Sequence, residues 1–202
     1  MNIFKQNFNN SNNKYVNVNF SFKPYSLEQI ISDLRINKVI TNQNTIRNIA
    51  STVQTIYFYK DLISNNRNNL PIGIIQNLLK ELIIQSFSIL ECIEIELGAK
   101  LLNINRNTGN QRKSEDLECL KAVSNTLRFP SNSIELELYK YFKNCRHNVH
   151  LSKSQNIFDT NSLNERNVTT LMSFLTQYIE YIVNWYDMYL NTKNKFKFKR
   201  NF

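Results

Sequence analysis

The chain has 202 residues and a mass of 23.9 kDa, which is typical of one domain with a substantial hydrophobic core. With only three Gly and three Pro, an all-β sandwich or barrel is disfavoured, and no Gly-rich phosphate-binding motif occurs. The three Cys and two His do not have the sequence spacing of a zinc finger. The composition therefore favours a mainly helical fold and excludes these common nucleotide and zinc sites.

The net charge of +9 is concentrated at the two ends of the chain. Residues 1–24 carry three Lys and no acid, and residues 191–202 carry four Lys and one Arg and no acid. The body, residues 25–190, is nearly neutral. Basic tails of this kind suit RNA, DNA or another polyanion, and increased solubility is the alternative explanation.

The three cysteines and the hydropathy pattern predict a cytoplasmic protein. Cys92, Cys119 and Cys145 each fall in an apolar helical pattern, so we expect buried, reduced thiols. Residues 1–20 lack the apolar region of a signal peptide. The most apolar stretch, residues 72–102, contains six charged side chains, so we expect no membrane span.

The first part of the chain predicts a basic segment followed by two helices. Residues 1–24 read as irregular, although the alternation of residues 15–22 is compatible with one short strand. Ser26 is a suitable N-cap for a short helix that ends near Arg35. Apolar residues at helical spacing predict a second helix over about residues 41–64.

The middle of the chain predicts a long helix and then a shorter one. After an Asn-rich turn over residues 65–69, Pro71 suits the first position of a helix over about 71–103. A polar loop follows, and Ser114 is a candidate N-cap for the next helix. The apolar face expected for that helix consists of Leu117, Leu120, Ser124 and Leu127.

Two more amphipathic helices complete the predicted fold. The first follows Pro130, is capped by Ser131 or Ser133, and has the apolar stripe Ile134, Leu138, Tyr141, Phe142, Cys145 and Val149. The last covers about residues 162–190 and is expected to bury Val168, Leu171, Met172, Leu175, Ile179, Ile182, Tyr186 and Tyr189. We therefore predict an all-α bundle of about four to six helices over residues 25–190, followed by a basic tail.

Both histidines of the chain lie in one short segment beside cationic side chains. Lys143, Arg146 and His150 fall on one polar stripe if the helix continues to residue 150. An Arg binds a phosphate, and a His exchanges a proton near neutral pH. Together they are suited to cleaving RNA without a metal. The alternative is that both residues only complement the negative C-terminal end of their helix.

The segment Arg146-His147-Asn148-Val149-His150-Leu151 resembles the signature of HEPN domains, which are small helical bundles found in prokaryotic RNases, toxins and defence proteins. The family pattern is an Arg, often followed by a polar residue such as Asn, and then a His. Three residues separate Arg146 from His150, a shorter spacing than is usual in the family.

This resemblance implies catalytic roles for Arg146, Asn148 and His150 and an HEPN-like fold. It implies a homodimer with a composite RNA-cleaving site, no cofactor or metal, and a partner such as an antitoxin or a defence complex. The residues expected to contact RNA are Lys143, His147, Lys193, Lys195, Lys197, Lys199 and Arg200.

A non-catalytic helical module is the competing prediction, either an inactive HEPN scaffold or an accessory protein of CRISPR or phage type that binds nucleic acid or protein. Two other clusters have structural explanations. Glu91, Glu94 and Glu96 suggest a metal site but are expected on a solvated face. The aromatic band of the last helix favours core or dimer packing over base stacking, and consists of Tyr178, Tyr181, Trp185, Tyr186 and Tyr189.

Overall fold

The computed structural model describes residues 25–106, 113–127, 137, 140 and 165–198, with the side chains of residue 113 and of residues 193–198 left out. Within these ranges the protein is an all-α bundle of five α-helices and one 3-10 turn, with no strand. The helices are α1 (Leu27–Leu34), α2 (Gln43–Asn66), α3 (Ile72–Leu102), α4 (Lys113–Thr126) and α5 (Glu165–Phe198), and the 3-10 turn is Ile36–Lys38. The short strand predicted in residues 15–22 lies outside the described residues, as does the helix predicted after Pro130 except for Glu137 and Lys140, which are both helical.

The short helix α1 begins and ends with the side-chain and backbone geometry expected of caps. The Ser26 hydroxyl accepts a hydrogen bond from the backbone N–H of Gln29 at 3.0 Å, as predicted for the N-cap. Arg35 closes the helix with φ of 52°, a left-handed conformation that usually favours Gly. Ile36, Val39 and Ile40 in the next turn are fully buried, so the turn anchors α1 to the core.

Helix α3 is the centre of the bundle, because α2, α4 and α5 all pack against it. Its apolar residues recur at helical spacing on a broad face, and both Ile93 and Leu97 are fully buried. Four of the residues predicted to face the core from α5 are almost completely buried, namely Val168, Leu171, Leu175 and Ile182. The predicted helical bundle is thus confirmed for the described part of the chain.

The sequence-based prediction for α4 was wrong at its N-terminus and for most of its buried face. The helix begins at Lys113, so Ser114 lies inside the first turn and is not the N-cap. Leu127 is buried as predicted, but Leu117 is 53% exposed and Ser124 is also exposed, and the other two buried residues are Cys119 and Val123. The three buried residues follow the i, i+4, i+8 spacing of one helix face, and the two smallest of them allow α4 to approach α3 closely.

Two other boundaries differ from the prediction. Pro71 is the N-cap residue of α3 and not its first helical residue. Helix α5 continues to Phe198, well beyond the predicted end near residue 190. This extension contains neither Gly nor Pro, the two residues that most often end a helix.

Gly98 lies where α3 and α4 come closest together. A Cβ atom added at this position would be 2.3 Å from the backbone oxygen of Cys119 and 2.6 Å from its Cα and carbonyl carbon. Those atoms belong to a helix backbone and cannot rotate away. The absence of a side chain at Gly98 is therefore a condition for the observed packing of α4 on α3.

We expect Gly98→Ala to lower the free energy of unfolding by about 1–3 kcal/mol or more, because α4 must move to relieve the clash. Gly73→Ala is the matched control, since no atom of the described residues lies within 4 Å of an added Cβ there. That variant should raise stability by up to about 1 kcal/mol. Urea denaturation followed by far-UV circular dichroism measures both, and equal stability of the two variants would contradict the close contact.

Candidate functional site

The residues predicted to form the catalytic motif lie outside the described part of the structure. This applies to the catalytic candidates Arg146, Asn148 and His150. It also applies to four of the candidate RNA-binding residues, Lys143, His147, Lys199 and Arg200. Their predicted roles therefore remain predictions from the sequence.

Three of the predicted RNA-binding lysines belong to a helix. The backbone of Lys193, Lys195 and Lys197 forms part of the last two turns of α5, which ends at Phe198. A helix fixes the spacing between charged residues along its axis, at about 1.5 Å of rise per residue. The first basic residues therefore belong to the helix, where the sequence had predicted a basic tail beyond its end.

The acidic set on α3 is not a solvated face, in contrast to the prediction. Glu94 is only 8% exposed and accepts a hydrogen bond from the Tyr178 hydroxyl of α5 at 3.2 Å. The signal for its burial was present in the sequence, because Glu94 lies one turn after Leu90 on the core-facing side of α3. A buried carboxylate needs hydrogen bonds or a cation, and the Tyr178 hydroxyl supplies one hydrogen bond.

An ion cluster joins the end of α3 to the start of α4. Nε of Arg106 lies 3.1 Å from Glu96, and its Nη1 lies 2.6 Å from Asp116. The side chains of Arg106 and Glu96 are each 14% exposed, so this contact is far less screened by water than a surface ion pair. Glu96, like Glu94, therefore has a structural role in holding two helices together.

Two cysteines border this ion cluster. Burial raises the pKa of the Cys92 thiol from its ordinary value of 9.0 to about 11, the Glu96 carboxylate adds to the rise, and Arg106 opposes it. Burial also raises the pKa of Cys119, which is fully enclosed by its neighbours. Both thiols therefore stay protonated at neutral pH and are poor nucleophiles, as expected for structural cysteines. The third cysteine, Cys145, lies outside the described residues.

The aromatic band of α5 is divided between the core and the surface. Tyr178 and Tyr186 are buried, which confirms the packing role predicted for them, and Lys100 of α3 lies over the Tyr186 ring at 5.1 Å. Trp185 and Tyr189 stack with their ring centroids 5.2 Å apart. Tyr181 is 42% exposed, so part of its aromatic surface faces solvent.

The connection between α1 and α2 is attached to α5 by charged groups. Arg35 Nη2 lies 3.3 Å from the Asp187 carboxylate, its Nη1 donates to Asn184 at 3.3 Å, and the Lys38 ammonium also contacts Asp187. All three charged side chains are partly exposed, so each pair contributes at most about 1 kcal/mol. Two cations on one carboxylate leave this patch with a net positive charge.

A groove runs between α2 and α5, with α3 as its floor. Both helices pack on α3, but within the described residues they have few contacts with each other. The main cavity has a volume of about 270 Å³. A smaller cavity of about 100 Å³ continues it and shares Lys60, Thr169 and Met172 in its walls. Apolar side chains that line the main cavity include Val53, Ile56, Ile89, Leu175 and Ile179.

Neither a metal centre nor a membrane span is present in the described helices. No three His, Cys, Asp or Glu side chains among these residues are grouped so that they can hold a metal ion. None of the helices there is both long enough and apolar enough to cross a bilayer.

Comparisons with known proteins give no relative. No protein-family model, no curated protein and no solved structure matches the chain. Function is therefore inferred from the residues and geometry of the chain itself.

The raised pKa of Cys92 predicts a loss of stability at alkaline pH. Because the folded state favours the neutral thiol, the stabilisation is complete below pH 9, the ordinary pKa, and decreases as the pH rises towards 11. Cys92→Ser removes the titrating thiol. Between pH 8 and pH 11 we therefore expect its free energy of unfolding to decrease by about 1–3 kcal/mol less than that of the wild type. Urea unfolding across this range measures the difference, and parallel pH profiles would show that Cys92 is not buried as described.

Proposed function

We propose that the chain is an RNA-directed protein of the HEPN type and acts as a metal-independent endoribonuclease in a defence or toxin–antitoxin setting. The observation that carries the proposal is the sequence Arg146-x-Asn148-x-His150 in a chain whose described part is an all-α bundle. A long amphipathic helix, α5, follows the motif, as in the family that the motif resembles.

The chemistry follows from the residue types. The imidazole of His150 takes the proton of a ribose 2′-OH or protonates the leaving 5′-oxygen. The 2′-oxygen forms a bond to phosphorus while the bond to the 5′-oxygen breaks, and the Arg146 guanidinium stabilises the added negative charge on the phosphoryl oxygens. Asn148 contributes a hydrogen bond to the RNA. In the proposed homodimer, each copy supplies one Arg–His pair to a shared site.

The charge distribution supports an RNA substrate. Eight of the 25 basic residues lie in the two terminal segments, where no acidic residue occurs. The first three lysines of the C-terminal group continue α5, so they follow directly from the folded bundle. Such a group attracts the phosphate backbone without reading sequence.

A non-catalytic binding module is the second candidate function. Tyr181 on α5 has a partly exposed aromatic ring, on the same helix that carries the C-terminal lysines. Aromatic rings beside cationic side chains bind single-stranded nucleic acid by stacking and charge, without any catalytic group. Nuclease assays separate the two candidates.

Substitutions in the motif test catalysis. We expect His150→Ala and Arg146→Ala to abolish cleavage of mixed RNA, because each removes a group that acts on the reacting phosphate. Arg146→Lys should not restore full activity, since Lys lacks the planar fork of the guanidinium. Cleavage by the wild type should persist in EDTA. Gel analysis of the RNA products measures all four results.

His147→Ala is the comparison variant, because it removes the neighbouring imidazole, which is expected to contact RNA but not to transfer the proton, and it should lower activity less than His150→Ala. Each variant is compared with the wild type by circular dichroism to establish that the helical content is unchanged. A wild-type chain without nuclease activity, or normal cleavage by His150→Ala, would favour the non-catalytic module.

The C-terminal lysines should determine the salt dependence of RNA binding. Replacing Lys193, Lys195 and Lys197 by Gln keeps the helix but removes three charges, and should lower the log–log salt slope by about 0.7 for each phosphate of single-stranded RNA that the variant no longer neutralises. The control variant removes three charges from the body of the bundle, at Arg47, Lys80 and Lys121. Equal slopes for both variants in fluorescence anisotropy would show that only the total charge matters.

A further inference from the structure

The α2–α5 groove is an opening in the hydrophobic core at which apolar side chains meet solvent. Its walls are mostly aliphatic, and Lys60 is the one charged side chain that the described residues contribute to the main cavity. A cavity of about 150 Å³ is enough for one benzene ring, so the main cavity of about 270 Å³ has room for more than one aromatic side chain. Filling it would bury apolar surface that the described residues leave open.

The N-terminal segment of the chain meets the bundle at the rim of this groove. The backbone carbonyl of Tyr25 accepts a hydrogen bond from Nε2 of Gln54 on α2 at 2.5 Å. The Tyr25 ring packs against the Tyr57 ring with centroids 5.2 Å apart, and Tyr57 is itself a wall of the main cavity. Residues 1–24 are therefore joined to the bundle next to the opening.

Within those residues, one stretch has the pattern of an extended segment with a single apolar edge. Val16, Val18, Phe20 and Phe22 alternate with Asn and Ser, and alternate residues of an extended chain point to the same side. A lone extended segment is unstable in water unless that edge is buried. The described part of the chain contains helices and no strand, so it offers apolar helix faces and not a sheet edge.

We propose that residues 15–22 bind along the α2–α5 groove as an extended segment, with alternate apolar side chains directed into it. The dimensions agree. The groove follows α2 from Val53 to Ser64, a rise of about 16 Å at 1.5 Å per residue. An extended chain covers that distance in about five residues. Phe20 and Phe22, which shortly precede Tyr25 in the chain, can therefore reach the main cavity.

A photo-crosslink in the full chain tests this placement. Phe20→p-benzoylphenylalanine retains the aromatic ring and reacts with the C–H bonds that it contacts. Mass spectrometry of the digested protein should find crosslinks to groove residues on α2 or α5, between 53 and 64 or between 169 and 179. The same replacement at Phe8, which lies outside the segment, should give few crosslinks to these residues.

A blocked groove is the matched control. Thr176→Arg places a much larger side chain at the exposed rim of the wall, and should reduce the crosslink by about tenfold or more, because its stem narrows the groove and crowds a bound segment. Gln177→Arg, one residue further and not part of the wall, should leave it unchanged. If Thr176→Arg does not fold by circular dichroism, Thr169→Arg provides the second blocked groove.

Three results would overturn the proposal. One is a Phe20 crosslink pattern that omits the groove, and another is a groove crosslink that survives both blocking variants. The third is a crosslink that forms between two chains in a mixture of ¹⁵N-labelled and unlabelled protein, which would assign the groove to a second copy. None of these outcomes depends on RNA cleavage. The placement of residues 15–22 is therefore tested independently of the proposed nuclease function.

Discussion

The close approach of α4 to α3 at Gly98 is the contact on which the arrangement of the bundle depends. Helix α3 carries the largest share of the core, and the other long helices are placed by how they lie on it. With the Cys119 backbone directly above Gly98, there is no room for a side chain between the two helices. This contact fixes the face of α4 that is buried against α3.

Polar contacts then hold the ends of the helices in place around this centre. The Arg106 guanidinium connects α3 and α4 through two carboxylates, and Asp187 ties the α1–α2 connection to α5. Glu94 and Tyr178 form a hydrogen bond between α3 and α5 inside the core. Because the low local dielectric strengthens a satisfied polar contact and penalises an unsatisfied one, these groups favour a single arrangement of the helices.

Helical periodicity predicted most of this fold, since α2, α3 and α5 each have a broad apolar face and Ser26 is a good N-cap. For α4, periodicity gave weight to large residues such as Leu117, which is exposed, whereas the small residues Cys119 and Val123 form the buried face together with Leu127. It also misjudged Glu94, since a charged residue was expected in solvent although its position was on the core-facing side. The polar pairings between distant segments, such as Arg35 with Asp187, have no signature in local sequence.

For the candidate site, too, local sequence patterns could be predicted, whereas contacts between distant parts of the chain could not. The Arg–His motif is a local pattern and could be identified from six residues, but its surroundings depend on contacts between distant parts of the chain. The α2–α5 groove could not be predicted at all, because it arises from two helices that share a floor without touching closely. An all-α bundle supports many unrelated activities, so the function must be established from the chemistry of the site.

The chemistry of the RNA ends tests the proposed function most directly. Attack by the neighbouring 2′-oxygen, with acid–base catalysis and no metal, leaves a 2′,3′-cyclic phosphate on one product and a 5′-hydroxyl on the other. We predict these ends, identified by mass spectrometry, for RNA incubated with the wild-type chain in the presence of EDTA. RNA that stays intact, or products with 5′-phosphate ends that form only when a divalent metal is added, would contradict the account.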